Sequence, residues 1–82
     1  MFVTHEETQT RRFSAYDDFG RLHMIVAKRD AVFSFGRAPA YGAWRYQTED
    51  GIIVEPGNAR GVYLLNDGAV VLRTSDPREP QE

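Results

Sequence analysis

The sequence predicts an all-β fold: a small antiparallel hairpin meander of five to six strands, forming a strongly twisted sheet or a small barrel. Three observations carry that expectation. Three short acidic turns end in glycine, Asp17-Asp18-Phe19-Gly20, Glu49-Asp50-Gly51 and Asn66-Asp67-Gly68, and each lies between runs rich in β-branched and aromatic residues. The chain has 82 residues, 41% of them hydrophobic and 27% charged, which suits one folded domain. A single open sheet of that size would leave an apolar face bare, so closure into a barrel or pairing with a second copy is expected.

Cysteine is absent, so neither a disulfide nor a cysteine-type zinc site can staple the fold. Cohesion has to come from packing, from turns and from self-association; a homodimer is one expected form. The chain divides into a flexible N-terminal segment over 1–7, a single β domain over 8–74 and a disordered C-terminal tail over 75–82. That last stretch contains Pro77 and Pro80, alternates in charge and lacks large apolar residues, a composition that resists packing.

The first hairpin pairs Arg11–Tyr16 with Arg21–Lys28 and sets His23 opposite Ala15. Leu22, Met24 and Val26 share one face of the second strand. Leu22, Ile25, Val26 and Arg29 also fit a helical i, i+3, i+4, i+7 spacing. The glycine-closed turn before them and the β-branched pair Ile25-Val26 favour strand over 21–30. Ala31–Phe35 prolongs that strand, and Gly36–Gly42 reads as a loop, either a crossover or a functional loop.

In the second hairpin, a three-residue loop Glu49-Asp50-Gly51 pairs Tyr46 with Val54. It places Trp44, Tyr46, Ile52 and Val54 on one face, whereas a two-residue loop would separate them. Pro56-Gly57 suits the central positions of a type II turn. In the last hairpin Val62 and Leu64 are expected to meet Val70 and Leu72 on one face, with Tyr63 and Leu65 meeting Val71 on the other.

Chemistry-bearing patterns are few, and no catalytic, metal or cofactor site is expected. His5-Glu6-Glu7 lacks the second histidine of a zinc helix motif. Ser14, Ser34 and Ser75 sit in no nucleophile elbow, although Ser14 and His23 could be drawn together on adjacent strands. Asp17-Asp18 and Glu49-Asp50 are placed and chosen as turn formers. The glycines stand singly, with no phosphate-cradling loop. The opening residues lack a basic region followed by a long apolar run, and apolar stretches such as Met24–Ala27 are far too short to span a bilayer. A cytoplasmic protein with no membrane partner is the expectation.

What stands out is aromatic residues interleaved with arginine. Lys28 is the only lysine, so guanidinium groups carry the positive charge. Arg37, Tyr41, Trp44, Arg45 and Tyr46 form the candidate binding set. The first reading is a non-catalytic module for an unidentified protein partner, using a sheet edge or the 36–42 loop. The alternative is a single-stranded nucleic-acid binder that stacks bases on Trp44 and Tyr46 and clamps phosphates with arginine. A net charge of −2 weighs against nucleic acid.

Two segments also resemble a group of small uncharacterised proteobacterial all-β proteins. They are Tyr16-Asp17-Asp18-Phe19-Gly20-Arg21 and Arg45-Tyr46-Gln47-Thr48-Glu49-Asp50-Gly51-Ile52-Ile53-Val54, followed by a closing hairpin and a polar, proline-containing tail. The resemblance implies a β-hairpin fold and brings no activity, cofactor or site residue with it.

Overall fold

The computed structural model describes residues 4–80. All of its regular structure is β, and no helix is long and apolar enough to cross a membrane. Strands β1 (Thr4–Tyr16) and β2 (Leu22–Ser34) form one unbroken antiparallel ladder, from Tyr16↔Leu22 at the turn to Thr4↔Ser34 at the far end. The turn is built as its sequence requires. Gly20 takes a φ of 76°, and Asp17 Oδ1 accepts the N–H groups of Phe19 and Arg21, both at 2.9 Å. That clamp fixes the register, with Ala15 opposite His23 as expected. Residues 22–34 are strand throughout, so the helical spacing of Leu22, Ile25, Val26 and Arg29 has no structural counterpart.

Strands β3 (Ala40–Tyr41) and β4 (Arg45–Thr48) both pair with the far edge of β2. The 36–42 stretch is therefore not all loop: Tyr41 lies opposite Ala31, and Gly42 N–H donates to Asp30 O at 2.8 Å. Strand β5 (Ile53–Pro56) follows in the register expected for a three-residue loop, with Tyr46 opposite Val54. Thr48 is buried in that turn, its N–H bonded to Ile52 O and its Oγ1 accepting Ile52 N–H.

The chain departs from expectation at its next two turns. Gly57 is not in the left-handed region that a type II turn demands. Its N–H instead bonds Val62 O at 2.7 Å, and a Cβ there would lie 2.7 Å from Val62 Cγ1. The turn comes later, with Gly61 at φ 79° and Val62 N–H bonded to Ala59 O. The last hairpin joins β6 (Val62–Leu65) to β7 (Val70–Arg73) through four residues rather than three. Asn66 and Asp67 both take positive φ, 53° and 56°, before Gly68 at 90°; Asn and Asp tolerate that region where most side chains do not. The extra residue inverts β7, so Leu72 and Val70 face Tyr63 and Leu65, while Val71 faces Leu64.

The strands close into a ring in the order β1-β7-β6-β5-β4-β2, with β3 as a short outer addition to the sheet. At the closing seam β1 and β7 share only the pair Tyr16↔Arg73. Side chains finish the seam. Asp76 Oδ2 accepts Ser14 N–H at 2.9 Å and Ser14 Oγ–H at 3.1 Å, and Thr74 Oγ1 donates to Ser14 O. Residues 75–80, expected as a disordered tail, thus form a strap across the barrel. Tyr63 Oη donates to Glu79, Arg78 pairs with Asp76, and Pro80 is buried. The polar composition misleads because Asp76 and Glu79 bind groups of the barrel, Ser14 and the Tyr63 hydroxyl, while Arg78 braces Asp76 from the solvent side. Residues 4–7, expected as flexible, pair with 31–34 in the ladder; residues 1–3 and 81–82 lie outside the described set.

The interior is filled by Phe13, Ala15, Ile25, Ala27, Val54, Tyr63, Leu65 and Leu72. Such a small ring holds only side chains. Phe13 meets Tyr46 edge-on and Tyr63 at 5.4 Å between ring centroids. The β1–β2 ribbon runs on past this core, which gives the molecule its extents of 55 × 22 × 18 Å.

Candidate functional site: an aromatic face on a protruding arm

The β1–β2 ladder contains no bulge within its paired span, so strand parity carries from the barrel into the arm. Odd-numbered residues of both strands share one face. Within the barrel those residues are Phe13, Ile25 and Ala27, and beyond it they are Gln9, Arg29, Phe33 and His5. Tyr41 joins the same face through its pairing with Ala31, and Trp44 packs at the edge of the core.

These side chains touch in a row. The Arg29 guanidinium lies 4.0 Å from the Tyr41 ring centroid and 4.6 Å from that of Trp44. Its Nε donates to Gln9 Oε1 at 2.8 Å, so the head group is held from the neighbouring strand. Phe33 meets Tyr41 edge-on at 6.4 Å and stacks with His5 at 6.1 Å. Cation–π contacts of this kind are each worth about 0.5–2 kcal/mol, enough to set rotamers on an exposed arm. Trp44 Nε1 is covered and has no hydrogen-bond partner among the described residues, which costs about 1–3 kcal/mol.

The structure brings Tyr41 and Trp44 together and separates the rest of the expected set. Tyr46 turns into the barrel, 4.9 Å from Tyr63. Arg45 sits on the opposite face of the sheet, 3.3 Å from Asp30. Arg37 is exposed in the turn after β2, where its N–H bonds Ser34 O. Arg29, Phe33 and His5 belong to the cluster and were not in the set. The alternation Ile25, Ala27, Arg29, Ala31, Phe33 would have revealed two of them, once the strand is carried to Ser34.

The other possible sites resolve into structural roles. Ser14 is engaged by Asp76, and His23 Nε2 lies 3.0 Å from Asp17 Oδ2. The two therefore do not form a nucleophile–base couple. The His23 contact and the N–H groups of Arg21 and Phe19 hold the Asp17 carboxyl below its ordinary range. Among the described residues no group of His, Asp or Glu is arranged to hold a metal ion. No protein-family model, curated protein or solved structure matches this chain.

Proposed function

We propose that the protein is a non-catalytic interaction module of the cytoplasm, which docks a protein partner on the aromatic face of its arm. The observation that carries this reading is the contiguous row Trp44, Arg29, Tyr41, Phe33 and His5 on an element that projects from the barrel. Tyr41 is 50% exposed, and Phe35 in the adjoining turn is 80% exposed. Arginine, tyrosine and tryptophan are the residues that dominate binding energy in protein interfaces. Their mutual contacts hold them in place before binding, which lowers the entropy lost on association.

The same geometry weighs against base stacking. A stacked base needs an uncovered ring face. Arg29 lies over both Tyr41 and Trp44, and Tyr46 is inside the barrel. Glu7 lies on this face beside His5, an unfavourable neighbour for a polyanion.

The test is a pull-down from lysate of the source cell, with and without nuclease, comparing wild type with Tyr41→Ala and Phe33→Ala. The reading expects one protein retained in both arms by wild type and lost by both variants. Retention that vanishes with nuclease, or that ignores both substitutions, would overturn it.

A further inference from the structure

The arm has an edge as well as a face, and the edge carries independent information. Among the described residues, no strand pairs with the outer side of β1 on the N-terminal side of Tyr16. Ser14 shows which backbone groups point that way, because its N–H and C=O are bonded by Asp76 and Thr74 on the side away from β2. In an antiparallel ladder alternate residues direct both backbone groups to the same edge. With no bulge between 4 and 16, the outward-facing residues are therefore the even-numbered ones: Glu6, Thr8, Thr10 and Arg12. Unpaired edges of this kind are templates for strand addition.

The side chains along the edge select the occupant. The segment reads Glu6-Glu7-Thr8-Gln9-Thr10-Arg11-Arg12, acidic at one end, basic at the other and neutral in between. Turned end for end, it is complementary to itself. We propose that two copies of this chain join through their β1 edges as an antiparallel β1–β1′ ladder, on a two-fold axis at Gln9. That register sets Glu6 opposite Arg12′, Glu7 opposite Arg11′ and Thr8 opposite Thr10′. It also aligns even residues with even ones, so the outward backbone groups of one strand meet those of the other. Sliding one strand by two residues is the smallest step that keeps those groups facing, and it breaks every Glu–Arg pair. Opposite charges and paired threonines directly across a ladder are favourable, whereas like charges are unfavourable.

Among the described residues no strand pairs with this edge, and the side-chain bond from Thr8 Oγ1 to Asp30 at 3.4 Å crosses to β2, away from it. Residues 6–8 and 10–12 are exposed. Among the described residues Glu6, Arg11 and Arg12 make no ion pair, and Glu7 contacts only the exposed His5. The two-fold axis stands perpendicular to the sheet, so both aromatic rows end up on the same side of one continuous surface. An isologous contact of this kind closes on itself and leaves no further β1 edge exposed. Seven-residue strands make a small interface, so the dimer is reversible and concentration-dependent. Its charged pairs lie at the surface, so salt weakens it.

The experiment is sedimentation equilibrium of the full chain, with folding of each variant checked by circular dichroism. Wild type should self-associate to dimer, less so as salt is raised. The double reversals Glu6→Arg with Glu7→Arg, and Arg11→Glu with Arg12→Glu, should each sediment as monomers. Mixed in equal amounts, those two variants should form a dimer, because each strand then meets its opposite charge along its whole length. Thr10→Pro removes an outward N–H without touching the β2 ladder and should also give monomers. Three results would each overturn the proposal: a wild type monomeric at every concentration, reversals that dimerise as wild type does, or a mixture that stays monomeric.

Discussion

Leu72 and Val71 are neighbours in β7, and the cost of truncating each reports which of them faces the core. In the observed register Leu72 is wholly buried against Tyr63, while Val71 is half-buried on the outside, opposite Leu64. Leu72→Ala removes three heavy atoms from a packed interior, and such truncations cost about 2–5 kcal/mol through lost transfer energy and the cavity left behind. Val71→Ala removes partly solvated methyl groups and should cost about 1 kcal/mol or less. Domains are stabilised by about 0.05–0.15 kcal/mol per residue, so a chain of 82 residues has roughly 4–12 kcal/mol to lose. Leu72→Ala therefore takes away a large share, equivalent to a fall in Tm of roughly 10 °C or more. Urea unfolding followed by far-UV circular dichroism measures both variants, with m unchanged as the sign that only stability has moved. A Val71→Ala variant that loses as much as Leu72→Ala would refute the four-residue turn and the inverted strand that follows from it.

Two further predictions concern pH. The Asp17 carboxyl titrates below its ordinary value of 3.8 because the folded turn binds the charged form, through His23 first and then Arg21 N–H. Its stabilising effect is complete above that value and is lost as the pH falls below it. Asp17→Asn should therefore flatten the acid limb of the stability profile, and urea midpoints that fall in parallel with wild type would contradict this. Tyr63 has the opposite sign: burial and the Glu79 carboxylate push its phenol well above the ordinary value of 10. The fold then loses stability as the pH rises through 10, where the unfolded chain ionises first. Tyr63→Phe should flatten that alkaline limb, and an ultraviolet titration of wild type should show a phenol ionising only on unfolding that the Tyr63→Phe variant lacks. A wild type whose tyrosines all ionise together before unfolding would count against it.

Much of the barrel was legible because turn chemistry is local. Asp17 and Gly20 state the first turn, Glu49-Asp50-Gly51 states the second, and the apolar alternation around each turn fixes its register. The third turn misleads because its signature is the same, yet Asn66 and Asp67 both accept positive φ and admit one more residue. Ring closure was legible only as an alternative, since the seam joins Ser14 to Thr74 and Asp76 and no short-range pattern announces it. The strap was hidden for a related reason: Asp76 and Glu79 look like solvated charges until Ser14 and Tyr63 are brought to them. In the candidate site, Tyr41 and Trp44 were visible as aromatics beside arginine. The arginine that joins them, Arg29, comes from a different strand. Tyr46 stands in the binding set beside Trp44, although its pairing with Val54 places it with the core.

The shared parity of core and arm has a consequence for how this molecule can vary in length. Phe13 and Ile25 inside the barrel and His5 and Phe33 near the arm's far end are held on one side by the same uninterrupted alternation. Removing a single residue from each strand between them would rotate the far part of the arm by half a turn and present its polar side instead. Removing two from each strand would keep the face and merely draw it closer. The distance between the barrel and its outermost aromatics is therefore adjustable only in whole pleats, steps of about 7 Å, like a ruler that can be cut at every second mark.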